Sequence, residues 1–204
     1  WLIQGGRDPA QLVAIALAHG LAISMLVYST MHISGGHINP AVTVAAALTQ
    51  RIGMVRAVIY LVAQFAGGVT GAFLLKLAVP VVMEGSLGAH ALAEGITPGM
   101  GLIIEILLTF VLVFVIFATA IDQKGVGKLA PLAIGFAILV CHLVAVPLTG
   151  ASMNPARSFG PALAIGAWDN HWVYWVGPFV GGSLAGLFYR WVFMERFGER
   201  QSNT

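Results

Sequence analysis

Five predominantly apolar stretches of about 20 residues or more, at 12–33, 53–79, 101–120, 129–148 and 172–193, dominate this sequence. A run of that length crosses the hydrocarbon of a bilayer as an α-helix. The whole chain carries 10 Lys and Arg and 8 Asp and Glu, 9% charged against 58% hydrophobic, with a mean hydropathy of +0.89. A soluble domain is about one quarter charged, so this chain cannot coat itself with a water-facing surface. A net charge of +2 makes no basic stripe for nucleic acid. The single cysteine, Cys141, excludes a disulfide framework, and the apolar content excludes disorder. What remains is an all-α, multi-pass membrane protein, one transmembrane domain over 1–204 with the lipid bilayer as its surroundings.

Two further apolar pieces, 39–49 and 154–165, are too short to span, and each opens on Asn-Pro-Ala. Asparagine is a favoured N-cap and proline is well suited to the first helical position, so each predicts a short helix. Non-spanning backbone at membrane depth is tolerated only inside protein or beside a water-filled cavity. The small-residue pairs Gly67/Gly71 and Gly182/Gly186 predict close helix contacts and nothing more.

Internal repetition sets the architecture. The stretch 32–42 (HISGGHINPAV) matches 147–157 (PLTGASMNPAR) at an offset of 115, with Ser34 on Thr149, Gly35 on Gly150 and the two Asn-Pro-Ala tripeptides in register. Phe65-Ala-Gly-Gly likewise falls on Phe179-Val-Gly-Gly. Three spans separate the short helices, so the second copy enters from the opposite face and the repeats are inverted. The sequence divides into a first repeat at 1–79, truncated at its start, a second at 101–193, and a tail at 194–204. The same offset asks for a counterpart to the span 101–120, of which Trp1-Leu-Ile-Gln-Gly-Gly is the last turn. Six transmembrane helices are therefore expected, the first mostly absent from this sequence.

Orientation follows from the basic residues. Arg51, Arg56, Lys124, Lys128, Arg190, Arg196 and Arg200 fall in one set of connections and Arg7 and Lys76 in the other, which places the C-terminus in the cytoplasm. A plasma or inner cell membrane fits best, with a vacuolar membrane as the alternative.

Two half-helices entering from opposite faces meet N-terminus to N-terminus, each tip carrying roughly half a positive charge. Asn39 and Asn154 can add side-chain N–H donors at that point. A neutral hydrogen-bonding molecule passes such a point cheaply and a cation does not, which describes a filter for water or small neutral solutes. Arg157 follows the second tripeptide directly. A membrane-buried arginine is costly unless it lines a water-filled cavity, and the one acid deep in a span, Glu105, belongs to another helix. Arg157 is thus expected to line the pore.

The stretches 34–43 (SGGHINPAVT) and 154–162 (NPARSFGPA) resemble the two signatures of the aquaporin, or major intrinsic protein, family, and the likeness runs through 130–135 (APLAIG) and 170–178 (NHWVYWVGP). The resemblance implies six helices with two half-helices, a pore in each protomer, a homotetramer, and Asn39, Pro40, Ala41, Asn154, Pro155 and Ala156 at the pore centre. It implies an extracellular aromatic/arginine constriction of His19, His142, Ala151 and Arg157. His142 matches the histidine of water-selective members, and Ala151 stands where animal water channels often carry cysteine. His19 replaces their usual phenylalanine and resembles the plant tonoplast branch. Ser158, Ala162, Tyr174 and Trp175 fit the water type rather than the glycerol type. Glu105 is expected to accept hydrogen bonds from backbone N–H groups of the second half-helix loop.

His32 and His37 could line the inner mouth or bond loop carbonyls, His90 and His171 are expected at the surface or in loops, and Cys141 in the core. The function expected is a passive water channel excluding ions and protons, with ammonia and hydrogen peroxide as further candidate solutes and no cofactor or metal. A broader glycerol or urea channel, an ion-coupled secondary transporter and a structural membrane protein with a vestigial pore are the alternatives. No enzyme is expected, because no nucleophile–base pair or metal-ligand cluster is visible.

Overall fold

The computed structural model describes residues 8–196, with side chains to residue 194. The stretch 1–7, including Arg7, the side chain of Arg196, and residues 197–204, with Arg200 and most of the expected tail, lie outside the described residues.

Helix α1 (Pro9–Ser34) starts three residues before the predicted span, because Asp8 caps it by accepting from Ala10 N at 3.0 Å and Pro9 takes the first helical position. It ends at Gly35, whose φ of 85° lies in the left-handed region. Half-helix α2 (Pro40–Leu48) follows, then α3 (Met54–Ala78), a one-turn α4 (Val81–Glu84) that no sequence pattern announced, and α5 (Pro98–Ile116). The last helix continues as a π-helical turn, Phe117–Ile121. A 3₁₀ turn, Gly127–Leu129, leads into α6 (Ala130–Thr149). Half-helix α7 (Pro155–Ile165) and α8 (Val173–Tyr189), extended by a π-helical segment Arg190–Arg196, complete the chain. Among the described residues there are thus five long helices and two half-helices.

The repeat is visible in space. Helices α1 and α6 cross where Gly20 meets Gly135, residues 115 apart in sequence. A Cβ on Gly20 would stand 2.7 Å from the Gly135 oxygen, and one on Gly135 would stand 2.5 Å from the Gly20 oxygen. Without side chains at these points the backbones touch, the means by which membrane helices associate. The same device recurs on either side. In α3, Gly68 lies against α7 with its Cβ position 2.5 Å from the Ala156 oxygen, and its counterpart Gly182 in α8 lies against α2 with its Cβ position 3.1 Å from the Ala41 oxygen. The main core, with Val42, Leu112, Phe117, Ile134 and Met153, runs between the half-helices and α5, α6 and α8. Leu77 and Val55 are 84% and 77% exposed on the outer face of α3, where lipid takes the place of water.

One interface has no counterpart. Helix α5 lies directly on α8, where the Cβ position of Gly181 is 2.2 Å from the Ile106 oxygen. The matching residue of α3, Gly67, has nothing within 4 Å of its Cβ position. It opens instead on a groove of about 810 Å³ between α1, α3 and α7.

Candidate functional site

Asn39 and Asn154 adopt extended backbone, φ −143° and −148°, and cap their half-helices: Asn39 Oδ1 accepts from Ala41 N at 2.9 Å, and Asn154 Oδ1 from Ala156 N at 3.1 Å and Arg157 N at 3.2 Å. Each amide also reaches across to the other repeat. Asn39 Nδ2 donates to the Met153 carbonyl at 2.8 Å, and Asn154 Nδ2 donates to the Ile38 carbonyl at 3.1 Å. Ile38 and Met153 turn those carbonyls toward the opposite tip through left-handed backbone, φ 52° and 53°. For a β-branched residue such as Ile38 this conformation is strained. An amide nitrogen carries two N–H donors, so each asparagine keeps one beyond its cross-repeat bond. The half-helices therefore meet tip to tip.

Glu105, fully buried on α5, holds the second loop in place. Its Oε1 accepts from Ser152 N at 3.0 Å and Thr149 Oγ1 at 2.7 Å, and its Oε2 from Met153 N at 2.8 Å. Tyr174, also fully buried, donates its hydroxyl to the Thr149 carbonyl at 3.0 Å.

Arg157 has no acid partner among the described residues, where the ion pair formed is Lys76 with Glu84 at 3.9 Å. Its Nη1 donates to the Gly88 carbonyl, and its Nη2 points at His19 Nε2, 3.5 Å away. His19 Nδ1 donates to the Ile15 carbonyl and His142 Nδ1 to the Ile138 carbonyl, each at 2.9 Å. In a neutral ring that tautomer leaves Nε2 as an acceptor. The two rings stack with centroids 4.3 Å apart. His19, His142 and Arg157 line two cavities at once: one of about 40 Å³ beneath the 85–97 loop, and one of about 400 Å³ that extends past Asn154 and Asn39 to Arg51 and Ile121. The larger cavity is walled mainly by aliphatic side chains such as Ile23, Val27 and Ile138.

Ala151 (φ 57°) is fully buried in the main core, and the two cavities are lined nearby by Gly150 and Ser152 instead. Ala162 is buried, and Trp175 stacks on Phe65 at 4.9 Å. His37 is hydrogen-bonded to Thr43 Oγ1 at 3.0 Å and lines the larger cavity, while His32 is exposed. Cys141 is buried, its thiol 3.8 Å from the Leu108 oxygen.

His90 and His171 lie in loops, one of the two placements expected, but not at the surface. They are 6% and 9% exposed, because the 85–97 loop folds inward over α7 and the rings of Trp168 and Tyr174 close around His171. His90 Nδ1 lies 2.9 Å from Ser158 Oγ, which is bonded in turn to Ser152 Oγ. Serine and histidine are a nucleophile and a base in type, but Ser158 is fully buried and no substrate can reach it. Gln64, which no motif marked, donates to Thr43 Oγ1 at 2.9 Å. Thr43 and Ser158 are repeat counterparts, so the register that aligned the tripeptides also marked both hydroxyls.

Fold and site together define a multi-pass membrane protein built as an inverted repeat around two half-helices that meet inside it. The family model described as major intrinsic protein matches residues 3–189. Aquaporin-4 of Rattus norvegicus is 49% identical over 194 residues, 93% of this chain and 60% of that protein. The probable aquaporin TIP3-2 of Arabidopsis thaliana is 48% identical over 197 residues, 96% of this chain and 73% of that protein. The X-ray structure of the aquaglyceroporin from Plasmodium falciparum shares the fold, with a TM-score of 0.82 and 21% identity over 93% of this chain and 85% of that one. The chain belongs to the major intrinsic protein family. It spans about three fifths of the length of the aquaporin-4 relatives it matches.

Proposed function

We propose that this protein is a passive channel that conducts water in single file, as the name of its aquaporin relatives suggests. The observation that carries the reading is the pair of crossed asparagines on the wall of the larger cavity, each with one N–H left to offer. In this reading a water entering past Arg157 meets donors from the guanidinium and acceptors at Nε2 of His19 and His142. At the centre it meets Asn39 and Asn154 at the positive ends of two helices, which repel cations. The aliphatic wall between offers few competing bonds, so transit is fast. Ala151 contributes through backbone placement, and Ser158, Ala162, Tyr174 and Trp175 support the half-helix behind the filter. Ammonia and hydrogen peroxide, small and neutral, satisfy the same donors and acceptors. A homotetramer with cytoplasmic C-termini in a plasma or inner membrane completes the reading. Arg51 beside Met194, and Arg190 donating to the Thr49 carbonyl, gather basic residues at one end. The test is stopped-flow light scattering on proteoliposomes: osmotic shrinkage much faster than that of empty vesicles is expected, and a rate equal to theirs ends the proposal.

A further transmembrane helix, the counterpart of α5, belongs to the same reading and fills the groove over Gly67. Helix α5 lies on Gly181 of α8, and repeat symmetry puts its counterpart on Gly67 of α3. In a Gly67→Cys variant the new thiol is expected to react far more slowly with a lipid-soluble maleimide than a cysteine at Leu74, which is 61% exposed on the same helix. Equal labelling would leave the groove open to lipid.

A further inference from the structure

The 85–97 loop reaches the filter through two residues that belong to no motif. Gly88 gives its carbonyl to Arg157 Nη1. Two positions on, His90 is buried with its ring 5.0 Å from that of Tyr174. The ring also covers Gly150, where a Cβ would stand 2.7 Å from His90 Cδ2 and where φ is 83°. Nδ1 is bonded to Ser158 Oγ, and through it the ring joins Ser152 Oγ and the Asn154 carbonyl, whose oxygen lies 3.3 Å from Ser158 Oγ and 3.2 Å from Ser152 Oγ. Nε2 is buried without a partner, and His90 lines the small cavity together with Arg157, His19 and His142.

We propose that His90 is a positioning residue for Arg157: it seats the 85–97 loop on the second half-helix so that the Gly88 carbonyl holds the guanidinium, and so sets the width of the opening toward His19 and His142.

A guanidinium on a long flexible stem stands where its acceptors stand. On the inner side that acceptor is His19 Nε2, at the long distance of 3.5 Å, and on the outer side it is the Gly88 carbonyl. The loop is tied down elsewhere by Leu87, packed with Ala72 and Ala164, and by Ala93 N donating to the Leu148 carbonyl at 2.9 Å. His90 is bonded to Ser158 Oγ, on the half-helix that carries Arg157. Burial first, and the nearby Arg157 charge second, hold its pKa well below the ordinary 6.5. The ring is therefore neutral at neutral pH and adds no second positive charge to the filter. Without it, the loop keeps its anchors at Leu87 and Ala93 but loses its bond to the half-helix, so the Gly88 carbonyl shifts outward and the guanidinium follows, widening the opening.

The inference rests on the reading of Arg157 as a filter residue, and the experiment separates the two. Water and glycerol permeabilities are measured on the same proteoliposomes for the unaltered protein, His90→Ala and Ser158→Ala. If the unaltered protein conducts no water, the proposed function fails by itself. If it conducts, His90→Ala is expected to raise the glycerol-to-water ratio about tenfold while water flux stays within about twofold. Ser158→Ala, which removes the hydroxyl partner and leaves the loop intact, is expected to move the ratio the same way by a smaller factor. A merely structural role lowers both permeabilities together. An unchanged ratio in folded His90→Ala overturns the inference, as does a proportional loss of both fluxes. If that variant does not fold, Ser158→Ala decides alone: a raised ratio supports the inference and an unchanged one overturns it.

Discussion

In the proposed reading as a water channel, replacing Arg157 with valine is expected to let cations and glycerol through as well. The guanidinium has no acid partner among the described residues, so its full charge acts on the opening. At about 5 Å and an effective dielectric constant near 20, two unit charges repel by about 3 kcal/mol. Removing that barrier corresponds to a gain in monovalent cation flux on the order of a hundredfold. The positive half-helix ends stay, so selectivity falls without vanishing. Valine also removes the bulk that faces His19, so glycerol flux rises with cation flux. The bond that holds α7 at its start is made by Asn154 to backbone N–H groups and survives the change. Water permeability is therefore expected to remain within a few-fold of the unaltered protein. The check is parallel: osmotic shrinkage for water, re-swelling for glycerol, and a potential-sensitive dye for cation leak. Unchanged exclusion of both glycerol and cations would mean that Arg157 does not stand at the narrowest point.

Much of the centre of this fold was legible because its causes are local or periodic. Asn-Pro-Ala caps a helix wherever it occurs, so both half-helices start where the tripeptides place them. The offset of 115 carried further than the motif that revealed it: Gly20 and Gly135 obey it where α1 and α6 cross, and Thr43 and Ser158 obey it behind the asparagines. Glu105 could be singled out because a carboxylate in an apolar helix must find donors.

The unread parts depend on contacts between distant segments. Nothing near His90 in sequence says that the 85–97 loop turns inward, since the polar and small residues of that loop suit a solvated turn equally well. Its burial follows from Gly150, 60 positions away, which leaves room for the ring. Gln64 looks like an isolated polar residue in a span until Thr43 is placed opposite it. The resemblance that implies a filter position for Ala151 says nothing of its side-chain direction, which the backbone at φ 57° sets. The π-helical turn at Phe117–Ile121 has no signature in residues that would continue an α-helix as readily.

Glu105→Ala is expected to be the most damaging single change in the protein, and Glu105→Gln an intermediate one. The carboxylate takes three hydrogen bonds, from Ser152 N, Met153 N and Thr149 Oγ1, at a site with no exposure. Alanine leaves all three donors buried and unpaired, at about 1–3 kcal/mol each, and opens a cavity besides. A loss on the order of 5 kcal/mol is expected, a large part of the stability of an ordinary domain. Glutamine keeps the shape and one acceptor oxygen, but its NH₂ group faces a donor, so the loss is about 1–3 kcal/mol. Met153 shows why the damage spreads. Its φ of 53° is strained and is held by the bond from its N–H to Glu105, while its carbonyl takes the bond from Asn39. Once that residue relaxes, the cross-repeat bond from Asn39 goes, and the start of α7 with Arg157 moves with it. Stability and selectivity are therefore expected to fall together, whereas Arg157→Val moves selectivity alone. Thermal unfolding in detergent should rank the unaltered protein above Glu105→Gln and Glu105→Ala last, with the glycerol-to-water permeability ratio rising in the same order. A glutamine variant matching the unaltered protein in both measures would show that the loop holds its shape without the carboxylate.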